Sequence, residues 1–287
     1  MRRLPAYYGF WHYMGHYGLR IAVYLVLVFL MLPILIIIPL SFNVEPYFSF
    51  TEGMLSLDPN AYSTRWYAQV FDDPRWILSI KNSFIIGIAA ALLSTVLGTI
   101  AAVGLSSPAM PFRRLITALL LSPMIVPVII IAAGMFFFYT RFNLVGSHLG
   151  LILAHAALGI PFVIITVTAT LTGFDRSLYY AAIGMGASPL KVFWDIVIPL
   201  IRPGVISGGL FAFVTSFDEV VVVLFLAGPA QRTIPRQMFS GLREQINPTI
   251  LAVATMLILI SVALLITLEL LRRRSERIRR GNVVESS

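Results

Sequence analysis

Six stretches of about twenty residues run almost without charge, at 21–41, 78–103, 115–139, 149–171, 202–226 and 249–271. An α-helix crosses the hydrocarbon core of a bilayer in roughly 20 residues. Backbone amides find no water in that layer, so each stretch must bond its own by coiling. The expected fold is therefore an all-α integral membrane protein with six transmembrane helices. Composition agrees, with 58% of the 287 residues hydrophobic and 12% charged, too few to solvate a globular surface.

The basic residues set an expected orientation. With the N-terminus inside, the inner segments hold Arg2, Arg3, Arg20, Arg113, Arg114, Arg176, Lys191, Arg202, Arg272, Arg273, Arg274, Arg277, Arg279 and Arg280, which is 14 of the 21 Lys and Arg. The outer segments hold Arg65, Arg75, Lys81, Arg141, Arg232, Arg236 and Arg243. Both termini are then cytoplasmic. The net charge of +8 follows from this topology and implies no nucleic acid. The first apolar stretch is longer than a signal-peptide core and no small-x-small site follows it, so it reads as a retained helix. There are no cysteines, hence no disulfide and no thiolate chemistry.

Within the outer segment 42–77, a short amphipathic helix is expected near 64–71, with Trp66 and Tyr67 as interfacial anchors. Pro123, Pro127 and Pro161 fall inside spans three and four, where each removes a helix hydrogen bond. Gly208 and Gly209 favour close helix packing in span five. His12 and His16 stand four residues apart without a carboxylate nearby and read as interfacial anchors rather than metal ligands. His148 and His155 read as satisfied structural groups.

Two constellations stand out. Thr215, Ser216, Asp218 and Glu219 lie deep in the fifth apolar stretch, where an ionised carboxylate costs at least about 2.5–3.5 kcal/mol. One reading is a cation-attracting site on a substrate pathway; the other is a structural pair bonded to neighbouring helices. Adjacent residues on a helix sit about 100° apart, so both acids cannot point into one narrow cavity.

The second is Y-A-A-I-G-M-G-A-S-P-L-K-V-F-W-D-I-V-I-P at 180–199, on the inner side between spans four and five. Residues 177–184 read as a short helix and Gly186 as a hinge or C-cap. Ser188 and Pro189 restart a helix as N-cap and first residue. Leu190, Phe193 and Val197 make its expected apolar face, and Pro199 its end. The product is a helix-turn-helix elbow exposing small residues.

This elbow resembles the EAA motif of binding-protein-dependent ABC importer permeases, written E-A-A, three residues, G, nine residues, I-x-L-P. Ala181, Ala182, Gly186, Ile196 and Pro199 match in register, while Tyr180 replaces the Glu and Ile198 the Leu. Five further segments resemble spermidine/putrescine-type permeases: P-F-V at 161–163, L-T-G-F-D at 171–175, S-F-D-E-V-V-V-V-L-F-L-A-G-P at 216–229, R-T-I-P at 232–235 and M-F-S at 238–240, followed by N-P at 247–248.

The resemblance covers about 77–271, the permease domain. Residues 1–76 form a tail, first helix and periplasmic loop, and 272–287 a basic cytoplasmic tail. It implies a non-catalytic permease subunit of an ATP-driven importer in the bacterial inner membrane, moving a polyamine-like cation. No phosphate-binding loop is present, so two copies of a partner ATPase hydrolyse the ATP. Tyr180, Ala181, Ala182, Gly186, Ala187 and Ser188 contact that ATPase. A second homologous permease and a periplasmic binding protein complete the assembly, and no cofactor or metal is required. The alternatives are import of a related amine or amino-acid-derived compound by the same machinery, and an ion-coupled secondary transporter with Asp218 and Glu219 as a proton relay.

Overall fold

The computed structural model describes residues 10–107, 110–173, 176–244, 247–263 and 266. They are helical apart from turns and one isolated antiparallel bridge, Asn43 with Tyr62. The helices are α1 (Phe10–Leu40), α2 (Glu52–Leu55), α3 (Arg65–Asp72), α4 (Pro74–Ser106), α5 (Arg113–Leu121), α6 (Val128–Thr140) and α7 (His148–Thr172). After them come α8 (Arg176–Gly184), α9 (Pro189–Val192), α10 (Ile198–Asp218), α11 (Val221–Leu226), α12 (Ile234–Glu244) and α13 (Thr249–Ala263). Two compact units result, one from residues 1–72 with 241–287 and one from 73–240.

In the first unit, α1 is apolar on every side from Ile21 to Leu40, and its membrane-length stretch is unburied within the chain. The amphipathic helix expected near 64–71 is α3, but one of its two expected anchors, Trp66, is turned inward. Trp66 is buried, and its Nε1 donates to the Asn43 carbonyl at 2.7 Å. The Tyr67 hydroxyl bonds Ser41 Oγ at 2.6 Å. Asn43 Nδ2 donates to the Ser49 carbonyl at 3.0 Å, so the outer segment is tied down by its own polar groups. Thr249 Oγ1 donates to Gln69 Oε1 at 2.9 Å, joining α13 to α3.

The second unit is built on α4, α7 and α10. Their shared faces carry Gly, Ala and Ser, which let backbones approach where water supplies no hydrophobic drive. A Cβ at Gly159 would lie 2.6 Å from Ser94 Oγ and 2.9 Å from Ala212 Cβ. One at Gly208 would lie 2.8 Å from the Val163 Cα. Ser94 Oγ donates to the Ala156 carbonyl at 3.0 Å, a helix-to-helix bond made possible by that proximity. A second apolar cluster joins α6 to α11 through Ala132, Tyr139, Val222 and Val223.

The span pattern departs from six uninterrupted helices. Among the described residues four helices are long and apolar enough to cross a membrane: Trp11–Leu40, Pro74–Ser106, His148–Thr172 and Pro189–Asp218. The third expected span is broken instead. Residues 113–124 and 128–140 form two helices bent by 100°. Pro123 and Pro127 remove two amides within one turn, and the chain answers with a 3-10 turn at Ser122–Met124 and non-helical ψ at Pro127. Pro161, by contrast, sits inside a continuous α7. The sixth stretch is helical over Thr249–Ala263; most of its remainder, with Glu269 and the tail 272–287, lies outside the described residues.

The fifth span also differs. It begins at Pro189 and runs through Pro199, which does not end it. A π-helical turn at Phe193–Val197 widens the helix just before that proline, accommodating the missing amide and the ring. It stops at Asp218 rather than continuing to 226, and restarts as α11.

A Gly159→Val substitution should overpack the α4–α7–α10 contact and cost about 1–3 kcal/mol. Thermal unfolding of the purified variant in detergent checks this, and an unchanged midpoint would contradict the close-packing account.

Candidate functional site

The elbow is built by local chemistry. Helix α8 ends in a left-handed turn at Gly186, whose φ is +87°, a conformation that glycine adopts without a Cβ clash. The Gly186 amide donates to the Ile183 carbonyl at 2.9 Å and the Ala187 amide to the Ala182 carbonyl at 3.1 Å, the paired bonds of a Schellman C-cap. Ser188 then caps α9, its Oγ accepting from the Lys191 amide at 3.3 Å, with Pro189 as first residue.

The elbow's faces differ from the expected ones. Val192 and Val197 are buried and Phe193 half-buried, whereas Leu190 is 69% exposed. Ala182 faces inward, Ala181 and Ser188 outward, and Ala187 between. Tyr180 (65% exposed), Met185 (83%) and Trp194 (59%) are, like Leu190, apolar side chains of the elbow left exposed by the described residues.

The acids sit at a helix break. Asp218 is the last residue of α10 and is exposed. Glu219 is extended (φ −73°, ψ 119°), and its Oε1 accepts from the Val222 amide at 2.9 Å. Glu219 therefore caps the start of α11, satisfying an amide that the break would otherwise orphan. The two carboxylates are not neighbours on one helix, and their roles separate. Ser216 is buried with its Oγ 2.7 Å from His155 Nδ1, and Thr215 is half-buried. The Phe217 ring packs edge-on against Phe84, with centroids 5.4 Å apart. Of the four residues, only Asp218 presents a free charged group at the surface of the chain.

A polar hub holds the region after α11, and the sequence reading had not singled it out. Buried Asn82 donates from Nδ2 to the Ala230 and Arg232 carbonyls, both at 2.9 Å, while its Oδ1 bonds His148 Nε2 at 3.0 Å. Ser83 Oγ accepts from the Ile234 amide at 2.8 Å. Arg236 donates from one guanidinium nitrogen to the Ala227 and Gly228 carbonyls at 2.8 and 3.0 Å, closing the end of α11. Burial, then the charge of Arg232, push the Arg236 guanidinium down from its ordinary value. The signal in the sequence was an Asn-Ser pair inside an apolar stretch. No group of three or more His, Cys, Asp or Glu side chains that could hold a metal occurs among the described residues.

Residues 94–277 match the family of binding-protein-dependent transport system inner membrane components. The chain belongs to that family. It is 31% identical to the spermidine/putrescine transport system permease protein PotC of Haemophilus influenzae, over 91% of this chain and 99% of that one. It is 33% identical to the putrescine transport system permease protein PotI of Escherichia coli K12, over 80% and 82%. A bacterial ABC transporter that imports the acidic polysaccharide alginate shares the fold, with TM-score 0.67 at 15% identity over 94% of this chain and 99% of that one. The inward-facing MetNI methionine ABC transporter does so with TM-score 0.55 at 18% identity, over 66% and 89%. The family member described here is thus a multi-pass permease subunit and not an enzyme; ATP hydrolysis belongs to a partner ATPase.

Replacing Glu219 with Ala should remove the cap of α11 and cost about 1 kcal/mol. His155→Leu should cost about 0.6 kcal/mol through the lost interhelical bond. Melting curves of the two purified variants test both, and wild-type midpoints would show that neither group holds the break.

Proposed function

We propose that this chain is the transmembrane permease subunit of an ATP-driven importer for a polyamine-like organic cation, with both termini in the cytoplasm. The observation that carries the reading is the exposed Asp218 carboxylate at the end of a long apolar helix. A membrane helix keeps such a group only where water, a partner or a cation meets it. The spermidine/putrescine and putrescine permeases among its relatives agree with that chemistry. Asp218 is the pathway acid; Glu219, engaged with the Val222 amide, holds the geometry of the break.

One subunit of this size encloses half a pathway, so a second, homologous permease supplies the other half. Two copies of a cytoplasmic ATPase bind the two elbows, and a periplasmic binding protein delivers the substrate. In this chain the exposed apolar surface of Tyr180, Met185, Leu190 and Trp194 is the docking face. Because Tyr180 carries no charge, docking relies on apolar contact at the position where the motif has an acid. The helix entering from Ser188 continues into the span that ends at Asp218. Closure of the ATPases therefore reaches the acid along one helix.

Uptake of labelled spermidine into vesicles carrying the whole complex tests the substrate. Asp218→Asn should reduce apparent affinity by on the order of tenfold, the value of one charged hydrogen bond. Unchanged uptake would sink the role of Asp218, and uptake without any ATPase would sink the importer reading. Deleting Ala181–Gly186 should abolish substrate-stimulated ATP hydrolysis while membrane insertion persists; normal stimulation would contradict docking at the elbow.

A further inference from the structure

The break in the third apolar stretch leaves α5 in an unusual position. Helix α4 ends at Ser106, and α5 begins only seven residues later at Arg113. It is set at 100° to the apolar helix that follows Pro127. Two helices set 100° apart cannot both follow the bilayer normal; α6 carries no charged residue while α5 opens with two arginines, so α5 is the one turned toward the membrane plane. Its faces fit that placement. Ile116, Thr117, Leu120 and Leu121 are half-buried, while Leu115 and Leu119, four residues apart, share an exposed face; Phe112, the residue that precedes the helix, is 79% exposed. Phe112 is held outward with φ +50°, a left-handed conformation rare for an aromatic residue.

The charge on α5 is the second observation. Arg113 and Arg114 occupy its first turn, where they add to the positive end of the helix dipole instead of opposing it. Among the described residues no acidic side chain pairs with either. Two exposed cations at the positive end of a helix attract an anion, and the exposed Leu115, Leu119 and Phe112 favour an apolar medium. An anionic lipid surface supplies both within a few ångströms, through headgroup phosphates and acyl chains.

We infer that Phe112–Leu121 is an in-plane anchor seated on anionic phospholipid, with Arg113 and Arg114 on headgroup phosphates and Phe112, Leu115 and Leu119 in the acyl boundary. It fixes the hinge at Ser122–Pro127 relative to the membrane, and it does not depend on which substrate the permease carries.

The natural chain has no cysteine, so a spin label at Phe112→Cys or Leu115→Cys reports one site. The full-length protein is placed in nanodiscs of phosphatidylcholine, with and without phosphatidylglycerol. Both labels should report the depth of the headgroup–acyl boundary and lose mobility as phosphatidylglycerol is added. Arg113→Gln with Arg114→Gln should remove most of that dependence on phosphatidylglycerol. The double lysine variant should retain it, separating charge from misfolding. A label at the bilayer centre or in water, an undiminished response in the glutamine variant, or loss in the lysine variant would overturn the anchor. So would immobilisation that appears only when the cytoplasmic ATPase is added, which would assign the surface to protein instead.

Discussion

The close approach of α4, α7 and α10 is the constraint on which the second unit depends. Gly98, Gly159, Gly204 and Gly208 leave room for side chains or backbone of the facing helix, with no space for a Cβ. Only at that separation can Ser94 reach the Ala156 carbonyl and Ser216 reach His155. In lipid the apolar side chains gain little by touching one another, so packing and such bonds carry the association. With α10 pinned along its length, its ends become fixed points: the elbow at one and the acid-bearing break at the other.

Some polar groups inside this protein pair with one another, as His155 does with Ser216; others finish the backbone, and a few are left over. Glu219, Asn82 and Arg236 each serve main-chain groups released where helices stop. Such groups cannot be abandoned in a medium without water. Asp218, Arg113 and Arg114 have no such duty among the described residues. The distinction turns a list of intramembrane and interfacial charges into a short set with work outside the chain.

The elbow was readable almost residue by residue. Ser188 as N-cap, Pro189 as first helical residue and Gly186 as the left-handed stop are local rules, decided within a few residues, and the structure follows them. The reading of Pro199 as a terminator failed because a single π-turn lets a helix pass a proline, and the helix that continues buries Val197 and Ile201 on either side of it. Leu190 failed similarly: its apolar character was plain, but which side of a short helix is covered depends on what lies against it.

By itself the sequence determined the membrane class, the places where helices begin and cap, and the presence of two acids where acids are costly. Those follow from hydrophobic length, turn chemistry and desolvation, which need no partner. Only the tertiary structure decided that the third stretch breaks by 100°, that Asn82 and His148 knit the region after α11, and that the two adjacent acids part company. A carboxylate's role depends on which amides come within 3 Å of it, and that distance exists only after the helices have packed.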